Sequence, residues 1–275
     1  MGVLLKQNIK GLLVKKSTWF ILLSYLLLGL GNYAFIHSGF PFLNPNFEFT
    51  TSFWEYFIMA QGGGSGFLFV VLPLLVTLST GDFFIKKRHS SILSYSLIRS
   101  SASKYIRNEI ISTGITSFIF VFFAQTLLLL SALFFSQIGT VDSQQGMIFF
   151  ASNILYQAPA IYVLLIIINS SLMAFFFSTL SIGLSIILKN KYSAIMLPYV
   201  GFIGGSEILM TLPMIFGLKA KNFYDYAPLA MSGDYITLEI SAWIIPMYWI
   251  VGSILIYTIV LRVFKNALKQ GKLLL

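Results

Sequence analysis

The residues that could carry out a reaction are few in this chain and far apart. The clearest motif is Gly63-Gly64-Ser65-Gly66, which matches a G-x-S-G string of the kind that surrounds serine nucleophiles. A serine needs a base within hydrogen-bond distance, and the only histidines are His37 and His89. Whether Ser65 is reactive therefore depends on where the chain places these two side chains.

Other catalytic chemistries are excluded by composition. The 275 residues include no cysteine, which excludes a disulfide framework, a thiolate metal site and a cysteine nucleophile. Two histidines without His-x-x-x-His spacing make a buried zinc site unexpected. No G-x-x-x-x-G-K-[ST] phosphate-binding motif occurs either, so ATP hydrolysis by that route is not expected. We predict that the chain is not an enzyme and binds no cofactor of its own.

The composition indicates which elements hold these residues. Apolar residues make up 57% of the chain and charged residues only 10%, far below the roughly 25% charged residues of soluble domains. A soluble fold of this size could not bury so much apolar surface. We therefore expect an all-α, multi-pass integral membrane protein with a single membrane domain over residues 1–275.

Six apolar segments have the length of about 20 residues that a helix needs to cross a bilayer. They cover residues 18–36, 66–85, 110–138, 160–188, 192–218 and 241–261. The second contains Pro73, and the fifth is interrupted by prolines and glycines. The sequence thus predicts six transmembrane helices.

The distribution of Lys and Arg orients these spans. Sixteen of the 18 basic residues fall in the N-terminal flank, the 2–3 loop, the 4–5 turn and the C-terminal tail, which places both termini in the cytoplasm. Topology alone explains the net charge of +9, so nucleic-acid binding is excluded. His37 then lies outside and His89 inside, and neither is expected to reach Ser65. The predicted location is the plasma membrane.

Two segments outside the spans have amphipathic patterns. Residues 2–14 place Leu5, Ile9 and Leu12 on one helical face, which predicts a short interfacial helix, the alternative being a frayed basic tail. The 2–3 loop, residues 81–108, predicts a short cytoplasmic helix that carries Ile92 and Arg99 and precedes a Ser-rich turn. For that loop the alternative is a basic segment held at anionic headgroups by its charges.

The topology and two short motifs resemble the membrane subunits of ABC-2 type ABC transporters. The 2–3 loop of that family carries a small-small-Leu stretch and a Pro-x-Ser-like turn, to which Ser90-Ser91-Ile92 and Arg99-Ser100-Ser101 are similar, with arginine where proline is usual. Tyr224-Asp225-Tyr226-Ala227-Pro228 is similar to a Pro-containing outer segment before the last span.

The resemblance implies a mechanism and partners. The 2–3 loop is then a coupling helix seated in a groove of a separate cytoplasmic ATPase, which binds the ATP and Mg²⁺, and a second permease copy or homologue completes the transporter. Residues 206–239 are implied to be partly re-entrant from the outer side. The candidate coupling residues are Arg88, Ser91, Ile92, Leu93, Tyr95, Arg99, Ser101, Lys104 and Tyr105.

A substrate path is the second candidate site. Glu207 lies within the predicted fifth span, where an ionisable group is expected to be functional unless that span ends early in a wet vestibule. Met196 and Met210, with Phe202, could form an adaptable apolar wall, although core packing is the alternative role. Asn169, Ser170 and Ser171 in the fourth span are predicted to make interhelical hydrogen bonds.

The resemblance implies a permease subunit that exports its substrate, and the apolar wall favours a hydrophobic or amphipathic substrate such as a peptide, drug or lipid-like molecule. A membrane-anchored regulatory or immunity protein that moves nothing is the alternative function.

Overall fold

The computed structural model describes residues 9–43, 52–61, 67–89, 101–136, 152–188, 190–216, 227–232 and 243–270. Throughout these residues the regular structure is helical, and no strand is present in them. Residues 9–14 form a helical stretch that ends at Lys15. The elements that follow are α1 (Lys16–Leu43), α2 (Phe53–Ala60), α3 (Phe67–His89), α4 (Ala102–Phe135), α5 (Ser152–Gln157), α6 (Pro159–Ile187), α7 (Lys191–Ile215), α8 (Pro228–Ser232) and α9 (Ile244–Lys269).

Among the described residues, five helices are long and apolar enough to cross a membrane. Their candidate spans are Thr18–Phe35, Phe67–Lys87, Ala102–Phe135, Pro159–Ile187 and Ile244–Lys269. They coincide with five of the six predicted segments, so an all-helical architecture with several candidate membrane-spanning helices is confirmed for the described residues. The remaining segment, 192–218, corresponds to α7, which is a helix but is not among the five.

The local sequence explains several helix boundaries. Ser52 and Glu55 form a capping box at the start of α2, because each side chain bonds the backbone N–H of the other residue. Pro159 stands in the first turn of α6, where its missing N–H costs no hydrogen bond. Pro73 lies inside α3, and the helix continues through it.

The bundle is built around α3 and α6. Most of the apolar stretch of each is buried, whereas α1 and α9 expose most of theirs and lie at the periphery. Helix α6 packs against α3, α4, α7 and α9. Lateral surfaces rich in exposed Leu, Ile and Phe, such as Phe134 at 84% exposure, are expected of helices that face lipid.

The buried apolar residues form two separate clusters. The larger, which we term the main core, is rich in aromatic residues and includes Tyr25, Phe69, Phe177 and Trp249. The smaller lies where the Lys and Arg residues of α3, α4 and α9 collect, and we term it the basic-end core. It consists of Phe84, Tyr105, Ile106, Ile110, Ile182, Ile186, Val260 and Phe264.

Small residues bring the helices together at the basic-end core. One close approach involves Gly183 of α6, since a Cβ atom there would lie 2.6 Å from Cγ2 of Val260 on α9. Buried Ser and Thr residues line the same region; Ser185, for example, donates to the carbonyl of Gly81 on α3 at 3.0 Å. Glycine and serine at helix contacts are typical of membrane bundles, where close packing replaces the hydrophobic effect.

The ends of α3 and α4 project beyond α1 at the basic end. The ammonium of Lys15, just before α1, donates to the carbonyl of Ser79 at 2.6 Å. Helix α3 continues from Ser79 to His89, which corresponds to about 15 Å of helix. This projection carries Phe84 into the basic-end core against Tyr105 and Phe264.

Candidate functional site

Two short buried helices lie at the end of the bundle opposite to the basic residues. Helix α2 connects α1 to α3, and α8 lies between α7 and α9. Neither approaches the roughly 20 residues that a span requires. Residues 56–61 and 230–232 are nonetheless buried, so both short helices lie inside the bundle. Their ends place backbone carbonyls in an apolar interior, where each carbonyl needs a hydrogen-bond donor.

Side chains of long helices bond the end of α2. The amide of Asn32 on α1 donates to the Ala60 carbonyl at 3.4 Å. The backbone N–H of Leu68, in the first turn of α3, donates to the Gln61 carbonyl at 3.1 Å. These bonds fix the position of Gln61, whose side chain points into the centre of the main core with no exposed surface.

Gln61 belongs to a buried hydrogen-bonded group that we term the central polar cluster: Tyr25, Gln61, Gln125 and Ser170. The Gln61 amide donates to Oε1 of Gln125 at 2.7 Å, and Nε2 of Gln125 donates to Oγ of Ser170 at 3.0 Å. Nε2 of Gln125 also donates to the Tyr25 hydroxyl. The cluster joins α1, α2, α4 and α6 through neutral groups.

Helix α8 is held in a similar way by the neighbouring residue of α6. The amide of Asn169 donates to the Ser232 carbonyl at 3.0 Å, and the indole N–H of Trp249 donates to the Met231 carbonyl at 2.9 Å. At the start of α8, the Leu229 N–H donates to Oγ of Ser206 on α7 at 2.9 Å. Both ends of this five-residue helix are therefore bonded to long helices.

Asn169 thus bonds α8 directly, and Ser170, at the next position of α6, connects to α2 through Gln125. The prediction of interhelical hydrogen bonds is confirmed for these two residues, whereas Ser171 bonds the Ile167 carbonyl of its own helix. The central polar cluster has no charged group, and no group of three or more potential metal ligands occurs among the described residues. The hydrogen bonds of this region fix where the two short helices sit.

The second candidate site lies at the basic end. Nζ of Lys87 on α3 and Oε1 of Glu109 on α4 are 2.6 Å apart, with side-chain exposures of 16% and 1%. Asn108 is buried beside them, and neither its Nδ2 nor its Oδ1 has a hydrogen-bond partner in the described part of the chain. Since unpaired buried amides are rare, this end of the bundle is polar and incompletely satisfied.

Most of the predicted coupling residues lie outside the described residues, and the others stand immediately before or after that gap. Ser91, Ile92, Leu93, Tyr95 and Arg99 are outside the described residues, as is the side chain of Arg88, whose backbone is in α3. Ser101 is exposed immediately before α4, and Lys104 is exposed in its first turn. Tyr105 is buried in the basic-end core instead of facing solvent.

The predicted path residues do not share one surface. Phe202 is buried and packs against Phe177, with ring centroids 5.4 Å apart. Met196 and Glu207 are exposed on another face of α7. The side chain of Met210 lies outside the description, as do residues 62–66 with the serine motif.

Sequence analysis missed Gln61, Gln125 and Glu109. A glutamine in the apolar run of α4 is a signal that could have identified Gln125, since buried amides in spans need partners. Glu109 was missed because the predicted third span began at Ile110, one residue later. No comparable signal identifies Gln61, which follows an apolar stretch too short to be taken for a span.

The chain matches no known family model, and no curated protein or solved structure is detectably similar to it. A functional assignment therefore depends on the geometry described above and on the resemblance of topology and motifs.

Proposed function

We propose that this chain is the membrane-spanning permease subunit of an ATP-driven transporter of the ABC-2 type. It would act with a separate cytoplasmic ATPase and a second copy of itself or a homologous permease. Six spans in the plasma membrane, with both termini in the cytoplasm, are part of the proposal. The substrate class is hydrophobic or amphipathic, such as a peptide, drug or lipid-like molecule, and the direction is export.

The projecting ends of α3 and α4 carry this proposal. They flank residues 90–100, the proposed coupling segment, and are joined to each other by the Lys87–Glu109 pair. They are also joined to α9 through Phe84, Tyr105 and Phe264. A force applied to the loop is therefore delivered to several helices together.

The contacts of α3 make it suitable for transmitting a movement of the coupling segment to the rest of the bundle. It is the helix with the most buried apolar stretch and contacts α1, α6, α7 and α8. Displacement of its basic end is then communicated to the bundle centre and to one of the short helices. ATP binding would bias the equilibrium because the closed ATPase pair binds ATP more tightly than the open pair does.

The two short helices support an exporter with an outer gate. Both α2 and α8 lie opposite to the proposed cytoplasmic end, and hydrogen bonds from the long helices add to the apolar contacts that hold both in the main core. Discontinuous helices at membrane depth form the binding and gating regions of many transporters. Helix α8 also lies in the region for which the resemblance implies a re-entrant segment.

An exposed face of α7 supports pairing with a second permease. Gly201 and Gly205 are one turn apart, a Cβ atom added at either would meet no described atom within 4 Å, and Ile208 is exposed on the same side of the helix. Small residues at this spacing permit close helix contact. Glu207 and Met196 are exposed on the opposite edge of the outer surface of α7, and a carboxylate facing lipid alone is costly. A second copy would cover the glycine side and leave Glu207 and Met196 at the margin of the contact, where the shared path would lie.

The absence of cysteine allows a direct test. Single variants Lys86→Cys and Lys104→Cys introduce exposed thiols beside the coupling segment, and Tyr156→Cys introduces one at the opposite end as a matched control. In intact cells we expect an impermeant maleimide to label only the Tyr156 variant from outside. In membranes with the ATPase present, the Lys86 and Lys104 variants should crosslink to it. External labelling of Lys104→Cys, or purification without any nucleotide-binding partner, would contradict the proposal and favour a regulatory protein.

A further inference from the structure

An apolar groove of about 720 Å³ follows the outer surface of α9. Its lining includes Phe176 of α6 and the α9 residues Met247, Val251, Gly252, Leu255 and Ile259. The α9 residues recur every three or four positions, so they form one stripe along the helix. Val251, Leu255 and Ile259 are each more than half exposed, so within the described structure the stripe is open to the bilayer.

The floor of the groove is rigid. Gly252 has no side chain, and a Cβ atom there would lie 3.1 Å from Cε2 of Phe176. The Phe176 ring is held edge-to-face by Trp249, with centroids 5.3 Å apart, and by Phe177 at 5.1 Å. The depression therefore exists because glycine exposes a fixed aromatic ring between larger neighbours.

The same stripe becomes cationic at the basic end. Arg262 follows Leu255 by seven residues and so lies on the same face, and Lys265 and Lys269 are exposed on the next turns. Helix α9 contains no acidic residue. A ligand in this groove would therefore meet positive charge at one end and mainly apolar groups along its length.

The spacing fits one leaflet of a bilayer. From Arg262 back to Val251 is eleven residues of α9, or about 16 Å, about half of the roughly 30 Å hydrocarbon thickness. From Arg262 to Trp243 is nineteen residues, or about 28 Å, so a charged and an aromatic residue mark the two edges of the hydrocarbon region.

We propose that this groove binds an anionic phospholipid of the leaflet at the basic end. One acyl chain lies along Val251, Leu255 and Ile259 over the Gly252 floor. The phosphate accepts hydrogen bonds from the Arg262 guanidinium, which is suited to bidentate contacts with phosphate oxygens. The proposal requires only that α9 crosses a bilayer, and it is independent of the transporter assignment.

A second copy of the chain fits this face less well. Two subunits related by a twofold axis along the membrane normal place identical residues at the same depth. Pairing through α9 would bring Arg262 close to its own copy, and like charges repel. The face of α7 with Gly201 and Gly205 carries no such cationic row.

The test is lipid retention by the full-length protein. After reconstitution in vesicles of equal phosphatidylglycerol and phosphatidylcholine and mild detergent extraction, native mass spectrometry counts the lipids that remain bound. We expect phosphatidylglycerol in excess for the native protein. Arg262→Gln should lower that excess about fivefold, the effect of one basic residue at a membrane surface. Lys16→Gln, which removes an exposed charge from α1 at the same end, should leave it unchanged.

The groove itself is tested by filling it. Gly252→Leu should reduce retention of both lipids, whereas Gly31→Leu, placed where no atom lies within 4 Å, should not. Arg262→Gln alters an exposed side chain, so its result stands even where Gly252→Leu fails to fold. An unchanged phosphatidylglycerol excess in Arg262→Gln would overturn the proposal. Spontaneous disulfide dimers of Leu255→Cys in native membranes would also overturn it, because a second copy would then occupy the groove.

Discussion

The main core and the basic-end core are stabilised by different physical means. The main core buries many aromatic rings and contains the central polar cluster, whose neutral amides and hydroxyls pair with one another. The basic-end core has eight residues, and beside it lie a charge pair and the amide of Asn108, which has no hydrogen-bond partner among the described residues. Hydrogen bonds between neutral groups in an apolar interior hold the helices of the main core in one arrangement. The helices of the basic-end core, which is small and close to water, can move relative to one another at a low cost in free energy. The difference suggests that the bundle is firm where the short helices are held and adaptable where a partner would act.

The largest expected effect tests the firm region. Gln125→Leu removes the residue that joins Tyr25, Gln61 and Ser170. We expect the free energy of unfolding to fall by about 2–5 kcal/mol. The lower end of this range assumes that each hydrogen bond lost in a membrane bundle costs about 0.6 kcal/mol. The upper end assumes that each buried polar group left without a partner costs about 1–3 kcal/mol. Denaturation of the purified protein by SDS, followed by circular dichroism, measures this loss.

A neighbouring residue provides the control. Thr126 follows Gln125 on α4, but its hydroxyl bonds the Phe122 carbonyl of the same helix at 2.8 Å and joins no other element. Thr126→Val should change the unfolding free energy by about 0.5 kcal/mol or less. Equal losses in the two variants would mean that the central polar cluster contributes no special stability.

The next effect concerns the ion pair of the adaptable region. Lys87→Met removes the ammonium that lies 2.6 Å from the Glu109 carboxylate, which is 1% exposed. We expect a loss of about 1–3 kcal/mol, below the range for fully buried pairs because Lys87 retains some exposure. The double variant Lys87→Met with Glu109→Leu should recover most of the loss, since apolar residues of similar size often replace buried pairs without cost. A double-mutant cycle on unfolding free energies that gives no coupling would rule out this account.

The contact between α6 and α9 in the basic-end core is tested by a single methyl group. Gly183→Ala would place Cβ 2.6 Å from Cγ2 of Val260, so either the Val260 side chain or the two helices must shift. We expect a loss of about 1–2 kcal/mol from overpacking, with recovery when Val260→Ala is added. Gly31→Ala, where no atom lies within 4 Å, should be neutral or gain up to about 1 kcal/mol from helix propensity. Thermal unfolding in detergent of the four proteins measures both effects, and a loss that Val260→Ala does not relieve would contradict the packing argument.

The long apolar helices could be predicted from the sequence, whereas the contacts between residues far apart in the chain could not. Apolar length identified five helices because a span must cover the hydrocarbon with intrahelical hydrogen bonds. It placed the start of the third span at Ile110, whereas α4 begins at Ala102, because the helix continues into a polar region where charged residues no longer mark its end. Helix α2 was missed because eight residues fall below any span criterion. Gln61 and Gln125 are 64 positions apart, and no local pattern indicates that they meet.

The smallest expected effect, that of Trp249→Phe, distinguishes local opening of α8 from unfolding of the whole bundle. Trp249→Phe removes the indole donor to the Met231 carbonyl but keeps an aromatic ring, and Asn169 still holds the neighbouring Ser232 carbonyl. We expect the unfolding free energy to fall by only about 0.5–1 kcal/mol, while a thiol introduced by Ser232→Cys becomes several-fold more reactive toward maleimide. Trp19→Phe, which removes a similar bond to Leu13 from an exposed indole, should leave that reactivity unchanged. If the maleimide reactivity of the Ser232→Cys thiol rises only as much as the unfolded fraction of the protein does, α8 becomes exposed only when the whole bundle unfolds. It could then not serve as a gate that moves while the main core stays folded.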